Sequence, residues 1–291
     1  MGALLKFELA KIVRSKLTYM GFVLIFCLVT LVYVGFQWRK HHPRKDHVAG
    51  FTVDSREMMN APFFSLWVET PTVLFYIPML VALMGSSLVA GESRAGTLRT
   101  MLIRPVSRTQ VLGAKGMMAL LYAMVLMGFT AAMALGIGFY EFKSRGNILV
   151  LSTESKTWFY MVMADQSLER TYLSYVLTVP MLVSVAMLGL MFSVIFESTA
   201  TAAMATLGIY YGSLILDILP FSFMEVIHPF LPTHYMWSWR QVFYPRTTGG
   251  QMLWDRVDWE RIGADLAWLG VFTAVYMTIT MAVFLRKDVK S

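Results

Sequence analysis

The chain has 291 residues, of which 57% are hydrophobic and 15% charged, with a formal net charge of +7. Soluble domains carry about 25% charged residues, so the composition excludes an ordinary soluble globule. Long apolar runs recur along the chain, and Lys and Arg gather beside them, a membrane-orientation pattern that gives no footing for a nucleic-acid partner.

The opening, "MGALLKFELAKIVRSK" (1–16), is too short and too charged to span. On a helical wheel Leu5, Leu9, Ile12 and Val13 share one face, with Glu8, Lys11 and Arg14 opposite. This predicts an N-terminal interfacial amphipathic helix lying against lipid headgroups.

Residues 17–291 read as one transmembrane domain of six helices, over Leu17–Trp38, Thr72–Val89, Met117–Phe139, Tyr175–Phe196, Thr199–Leu219 and Leu266–Leu285. Each run approaches the roughly 20 helical residues that cross a bilayer. A transmembrane barrel would need alternating segments of about ten residues. "GFQWRK" after the first run offers no small-residue cleavage site, so that run is expected to be a retained anchor. The single cysteine, Cys27, lies inside it and has no intramolecular partner. Arg and Lys are denser in 1–16, 90–116 and 286–291 than in the intervening loops, which places both termini in the cytoplasm.

Three outer segments follow from this orientation. The first carries His41, His42 and His47 without a thiolate or ordered carboxylate set, so it reads as a solvated loop, with no metal site expected. The second, Tyr140–Leu173, has mixed charge and room for a short helix. In the third, Pro220, Pro229, Pro232 and Pro245 cut an aromatic stretch into pieces too short to cross. Re-entrant half-helices and an interfacial aromatic belt are both compatible with it. Asp217, near the outer end of the fifth run, is the one charge placed within a span, with a snorkelling or capping role expected and substrate-path contact as the alternative. In the same run Gly208 and Gly212 are spaced G-x-x-x-G, a pattern for packing against a second copy or another span.

No phosphate-binding G-x-x-x-x-G-K-[ST], H-E-x-x-H or G-x-S-x-G motif occurs, so the chain is expected to be no enzyme and to bind no cofactor itself. The 23 methionines serve as adaptable apolar filler.

Information concentrates instead in "GESRAGTLRTMLIRPVSRTQVLGAK" (Gly91–Lys115). Thr97–Ile103 has Leu98, Met101 and Leu102 at helical spacing, while Arg104 before Pro105 ends that helix. Ser107 and Gln110 then form a predicted capping box for a second helix running through Lys115 into the third span. A short helix with an apolar face and flanking cations suits a groove in a cytoplasmic partner. Glu92 has Arg94, Arg108 or that partner as candidate counter-charges.

The order Glu92, Gly96-Thr97-Leu98, Leu102, Pro105-Val106-Ser107-Arg108 and Lys115 resembles the ABC-2 type permease family, the membrane subunits of one class of ATP-binding-cassette exporters. The ending "FLRKDVKS" resembles that family's C-terminal pattern. The resemblance implies two permease copies, expected as a homodimer in the bacterial inner membrane, and two separate ATPase subunits that hold ATP and Mg. It also implies a coupling role for Glu92, Gly96, Thr97, Leu98, Arg99, Met101, Leu102, Arg104, Pro105, Ser107 and Arg108. The long outer loops depart from the pattern and keep open an extracytoplasmic partner. The alternative function is a non-transporting anchor that relays ATPase motion to such a partner.

Overall fold

The computed structural model describes residues 2–42, 45–48, 51–54, 58–94, 107–151, 159–219, 226–244, 246–248, 251–253 and 257–286. Among the described residues, six helices are long and apolar enough to cross a membrane: Lys16–His41, Ala61–Arg94, Arg108–Glu141, Ala164–Ile195, Thr199–Ile218 and Trp259–Arg286.

Helix α1 (Gly2–Arg14) breaks at Ser15 before α2 (Lys16–His41), and the Thr18 hydroxyl donates to the Ile12 carbonyl at 2.7 Å across the break. Its orientation differs from the helical-wheel expectation. Glu8 and Ile12 are buried and Leu5 packs on the core, while Leu9 and Val13 face outward. Glu8 turns inward because a buried cation meets it there.

The second span is longer than hydropathy predicts. Helix α3 (Ala61–Pro71) passes through a π-helical turn (Thr72–Tyr76) into α4 (Ile77–Arg94). Asn60 starts α3 by accepting from the Phe63 amide at 2.9 Å, satisfying one of the helix's orphan donors. Pro71 and Pro78 bracket the π turn, where proline interrupts the backbone ladder. Pro78 cannot donate to the Leu74 carbonyl, and the Tyr210 hydroxyl does so at 3.2 Å, while Tyr211 donates to the Phe75 carbonyl at 2.7 Å.

Glu69, which truncates the span by hydropathy, lies fully buried in α3. Ser174 donates to its carboxylate at 2.7 Å and Thr178 at 3.4 Å. Asp217 is therefore not the only ionisable group carried by the long apolar helices, contrary to the sequence expectation. An ionisable group at this depth persists only where side chains satisfy it.

Helix α5 (Arg108–Glu141) opens on the predicted capping box: Gln110 N donates to Ser107 Oγ at 3.2 Å, and Ser107 N to Gln110 Oε1 at 3.3 Å. Helix α6 (Ala164–Ile195) already begins within the second outer segment, where a separate short helix was expected. Helices α4 and α6 form the centre of the bundle. Their closest approach is at Gly85 and Gly189, where a Cβ on Gly85 would stand 2.7 Å from the Ala186 carbonyl oxygen. Ser193 locks the crossing, donating to the Ser86 carbonyl at 2.6 Å and accepting from the Ala90 amide at 2.8 Å. Helix α7 (Thr199–Ile218) packs on α4, and α9 (Trp259–Arg286) packs along α6.

Among the described residues the connecting segments hold three antiparallel hairpins: β1 (Lys45–Val48) with β2 (Phe51–Asp54), β3 (Ile148–Leu151) with β4 (Phe159–Val162), and β5 (Arg246–Thr248) with β6 (Gln251–Leu253). Between α7 and β5 run two 3₁₀ segments, His228–Phe230 and Pro232–Trp237, and the one-turn helix α8 (Ser238–Gln241). At about 2 Å rise per residue none of these pieces crosses a membrane. Tyr235, Trp239 and Phe243 are buried beneath them and Phe230 is exposed, so the segment lies as an aromatic cover over the outer end of the bundle.

Candidate functional site

The predicted coupling helix Thr97–Ile103, with Gly96, Thr97, Leu98, Arg99, Met101, Leu102, Arg104 and Pro105, lies outside the described residues. Its two stems are described, and the bundle's main concentration of buried charge joins them. Glu92 ends α4, Lys115 lies two turns into α5, and Glu8 and Lys11 sit one turn apart on α1. Lys115 Nζ is 2.6 Å from Glu92 Oε2 and 3.2 Å from Glu8 Oε1, and Lys11 pairs with Glu92 Oε1. Glu8, Glu92 and Lys115 are each at most 2% exposed, whereas Lys11 opens to solvent.

Two cations and two carboxylates balance, which is the condition for burying such groups at all. The geometry matters more than the count. Lys115 holds carboxylates from two different helices, and Glu92 holds cations from two different helices. The cluster therefore fixes α1, α4 and α5 against one another at the point where the 91–115 segment leaves and re-enters the bundle. Lys11 and Lys115, ion-pair partners of Glu92 among the described residues, add to the counter-charges that the sequence suggests for it.

Arg108 has a separate task. Its guanidinium donates to the Phe284 carbonyl at 3.4 Å and the Leu285 carbonyl at 3.2 Å. These carbonyls lie in the last described turn of α9. Ser107 caps α5 in the adjacent position. The second stem is thus joined to the sixth span as well as to the second.

Sequence reasoning passed over Glu8, Lys11 and Lys115 as site residues. A charged residue on a short basic helix reads as solvated, but "GAKGMMALL" surrounds Lys115 with small and apolar neighbours, and that was the available signal.

A second polar cluster lies at the other end of the bundle. Asp217 accepts from Trp237 Nε1 at 2.9 Å and lies 3.0 Å from His234 Nδ1. The hydrogen bond to Asp217 holds the His234 pKa above its ordinary value, with the carboxylate's charge adding to it against partial burial. Asp217 accordingly ties the outer end of α7 to the aromatic cover. The neighbouring tie is Gln241 Nε2 donating to Asp265 at 2.6 Å.

Six long apolar helices around a polar-locked centre define a multi-pass α-helical membrane protein. Residues 4–204 match the family model described as ABC-2 family transporter protein, and the chain belongs to that family. It is accordingly an ABC-type permease, a membrane part whose family generally works with an ABC ATPase. No curated protein matches the chain at a significant level.

Proposed function

We propose that the chain is the permease subunit of an ATP-binding-cassette exporter, works as a homodimer, and is driven through residues 91–115 by two copies of a separate ATPase holding ATP and Mg. The observation that carries this reading is the Glu92–Lys115 pair, which ties both stems of the segment to each other and to α1. A push on a segment held in this way displaces α1, α4 and α5 together instead of bending a loop. Coupling between distant sites is carried by packed elements of that kind.

ATP binding closes the ATPase pair, the cytoplasmic segment is displaced, and the spans alternate their access across the membrane. The permease itself performs no covalent chemistry. Two copies meet through a face that includes α7, where a Cβ at Gly208 or Gly212 would have nothing within 4 Å.

The test is gentle purification of the tagged chain from its native membrane, followed by mass spectrometry. An ABC ATPase at one copy per permease is the expected result. Recovery of the intact permease without any ATPase overturns the reading. Recovery with an ATPase and a stoichiometric outer protein replaces export with the relay function.

A further inference from the structure

The 3₁₀ segment His228–Phe230 brings a third group to the outer cluster. Asp217, His228 and His234 each offer one metal-ligating atom, and those three atoms all lie within 4.8 Å of one another. The two imidazole rings are stacked, with centroids 5.7 Å apart. His228 Nε2 is shielded from solvent and has no hydrogen-bond partner. Buried polar atoms are normally satisfied, so an orphaned imidazole nitrogen on a ring that lies beside a carboxylate and a second imidazole calls for a ligand.

We propose that Asp217, His228 and His234 bind a divalent transition-metal ion of the zinc class, which staples the aromatic cover to the outer end of the fifth span. Two imidazoles and one carboxylate are a donor set for borderline metals, and Ca²⁺ or Mg²⁺ would instead seek oxygen ligands. Three protein ligands leave at least one position for water. Bonds of about 2.0–2.1 Å place tetrahedral ligand atoms about 3.3 Å apart. Asp217 and His234 already stand at 3.0 Å, so His228 supplies the remaining closure. It sits in a single 3₁₀ turn that ends on exposed Phe230, where a small shift disturbs little packing. The Trp237 indole N–H on the other carboxylate oxygen orients Asp217, the supporting contact that metal-bound carboxylates ordinarily have.

The site joins α7 to both 3₁₀ segments, so an ion there holds the outer cover closed over the bundle whether or not the chain transports anything. In the sequence the histidines that draw attention are His41, His42 and His47, and no metal site is expected from them. The residues that converge are separated by proline-broken turns whose path sequence spacing does not reveal.

The experiment uses the full chain in detergent, stripped with chelator and titrated with Zn²⁺ by calorimetry, with Co²⁺ visible absorption as a coordination readout. His228→Ala is the decisive variant. Nε2 has no protein partner, so a purely structural Asp217–His234 pair would be indifferent to its loss. The expected result is one Zn²⁺ per chain, a rise in melting temperature on binding, and tetrahedral Co²⁺ bands. His228→Ala and His234→Ala should each abolish the bands and weaken Zn²⁺ by more than about 100-fold. Trp237→Phe should weaken it by about 10–100-fold, as for loss of a supporting contact. A triple His41→Ala, His42→Ala, His47→Ala variant should bind as the parent does. Absence of Zn²⁺ binding in the parent, equal binding by monodisperse His228→Ala, or loss of binding only in the triple variant overturns the proposal.

Discussion

Lys115 Nζ lies 2.6 Å from Glu92 Oε2, and these two residues stand at the two ends of the 91–115 segment that carries the family resemblance. The ammonium is wholly removed from solvent, so its charge is compensated only by the carboxylates around it. Removing one member of a buried ion set leaves the others uncompensated, typically at about 3–5 kcal/mol, whereas neutralising the whole set is far cheaper. Lys115→Met should therefore lower the melting temperature strongly. Combining it with Glu8→Gln and Glu92→Gln should restore most of the loss, a non-additivity expected of groups in one network. Thermal unfolding of the purified chain, followed by tryptophan fluorescence, measures both. A Lys115→Met protein as stable as its parent would show that the cluster contributes nothing to holding the stems.

The crossing of α4 and α6 makes a contrasting steric prediction. A Cβ on Gly85 would meet the Ala186 carbonyl oxygen at 2.7 Å and the Gly189 Cα at 3.3 Å, both backbone atoms that cannot rotate away. Gly85→Ala should force the helices apart, at about 1–3 kcal/mol, the usual range for overpacking. Gly128→Ala, with nothing within 4 Å of its Cβ, is the control and should be neutral or slightly stabilising. Equal melting temperatures for the two variants would contradict the close approach.

These contacts also explain what sequence could and could not disclose. Apolar length alone revealed the six helices, and the Ser107–Gln110 spacing revealed where the third begins, because capping is local chemistry. The extensions of the second and fourth helices escaped because Glu69 and Arg170 look prohibitive in a linear hydropathy profile. Glu69 is tolerated through Ser174 and Thr178, and Arg170 donates to the Val242 carbonyl at 3.0 Å, partners distant in sequence. Glu8 was misassigned for the same reason. Its inward direction is set by Lys115, which the helical wheel of α1 does not contain. The ligand set at the outer end is a stronger case, since His228 and His234 reach Asp217 only through two 3₁₀ turns. The predicted helix at Thr97–Ile103 falls outside the described residues, and its docking role rests on the family resemblance.

Gly208 and Gly212 allow a clean test of association. Neither would place a Cβ within 4 Å of another part of the same chain among the described residues, which leaves intrachain packing without support there. Beside them Met204, Ile209 and Ile215 are also exposed. Small residues favour close helix approach in lipid, where packing and not water exclusion drives association. Gly208→Leu and Gly212→Leu should each leave the melting temperature of the monomer nearly unchanged and shift the dimer–monomer balance in detergent toward monomer. Native mass spectrometry or light scattering reads the balance. An unchanged balance in both variants would move the dimer face to another helix.

The most direct test of coupling lies between the two stems, at Leu102 and Arg99. On the proposed reading Leu102 is the apolar anchor of Thr97–Ile103 in an ATPase groove, and Arg99 is a peripheral charge. Leu102→Asp would place an unpaired carboxylate in that contact, at several kcal/mol. Arg99→Ala removes an exposed charge, which is typically worth under about 1 kcal/mol. Both changes leave Glu92, Lys115, Ser107 and Gln110 in place, and both proteins are expected to insert and melt as the parent does. The expected pattern is a Leu102→Asp permease that no longer retains the ATPase in a pull-down, beside an Arg99→Ala permease that does. A cytoplasmic segment that served only to set topology would behave the other way round. Leu102→Asp would then be silent, while removal of Arg94, Arg99, Arg104 and Arg108 together would disturb insertion. Parent-like ATPase retention by correctly inserted Leu102→Asp would reject Leu102 as the anchor. The buried Glu92–Lys115 tie would then be a structural clamp without a transmitted load.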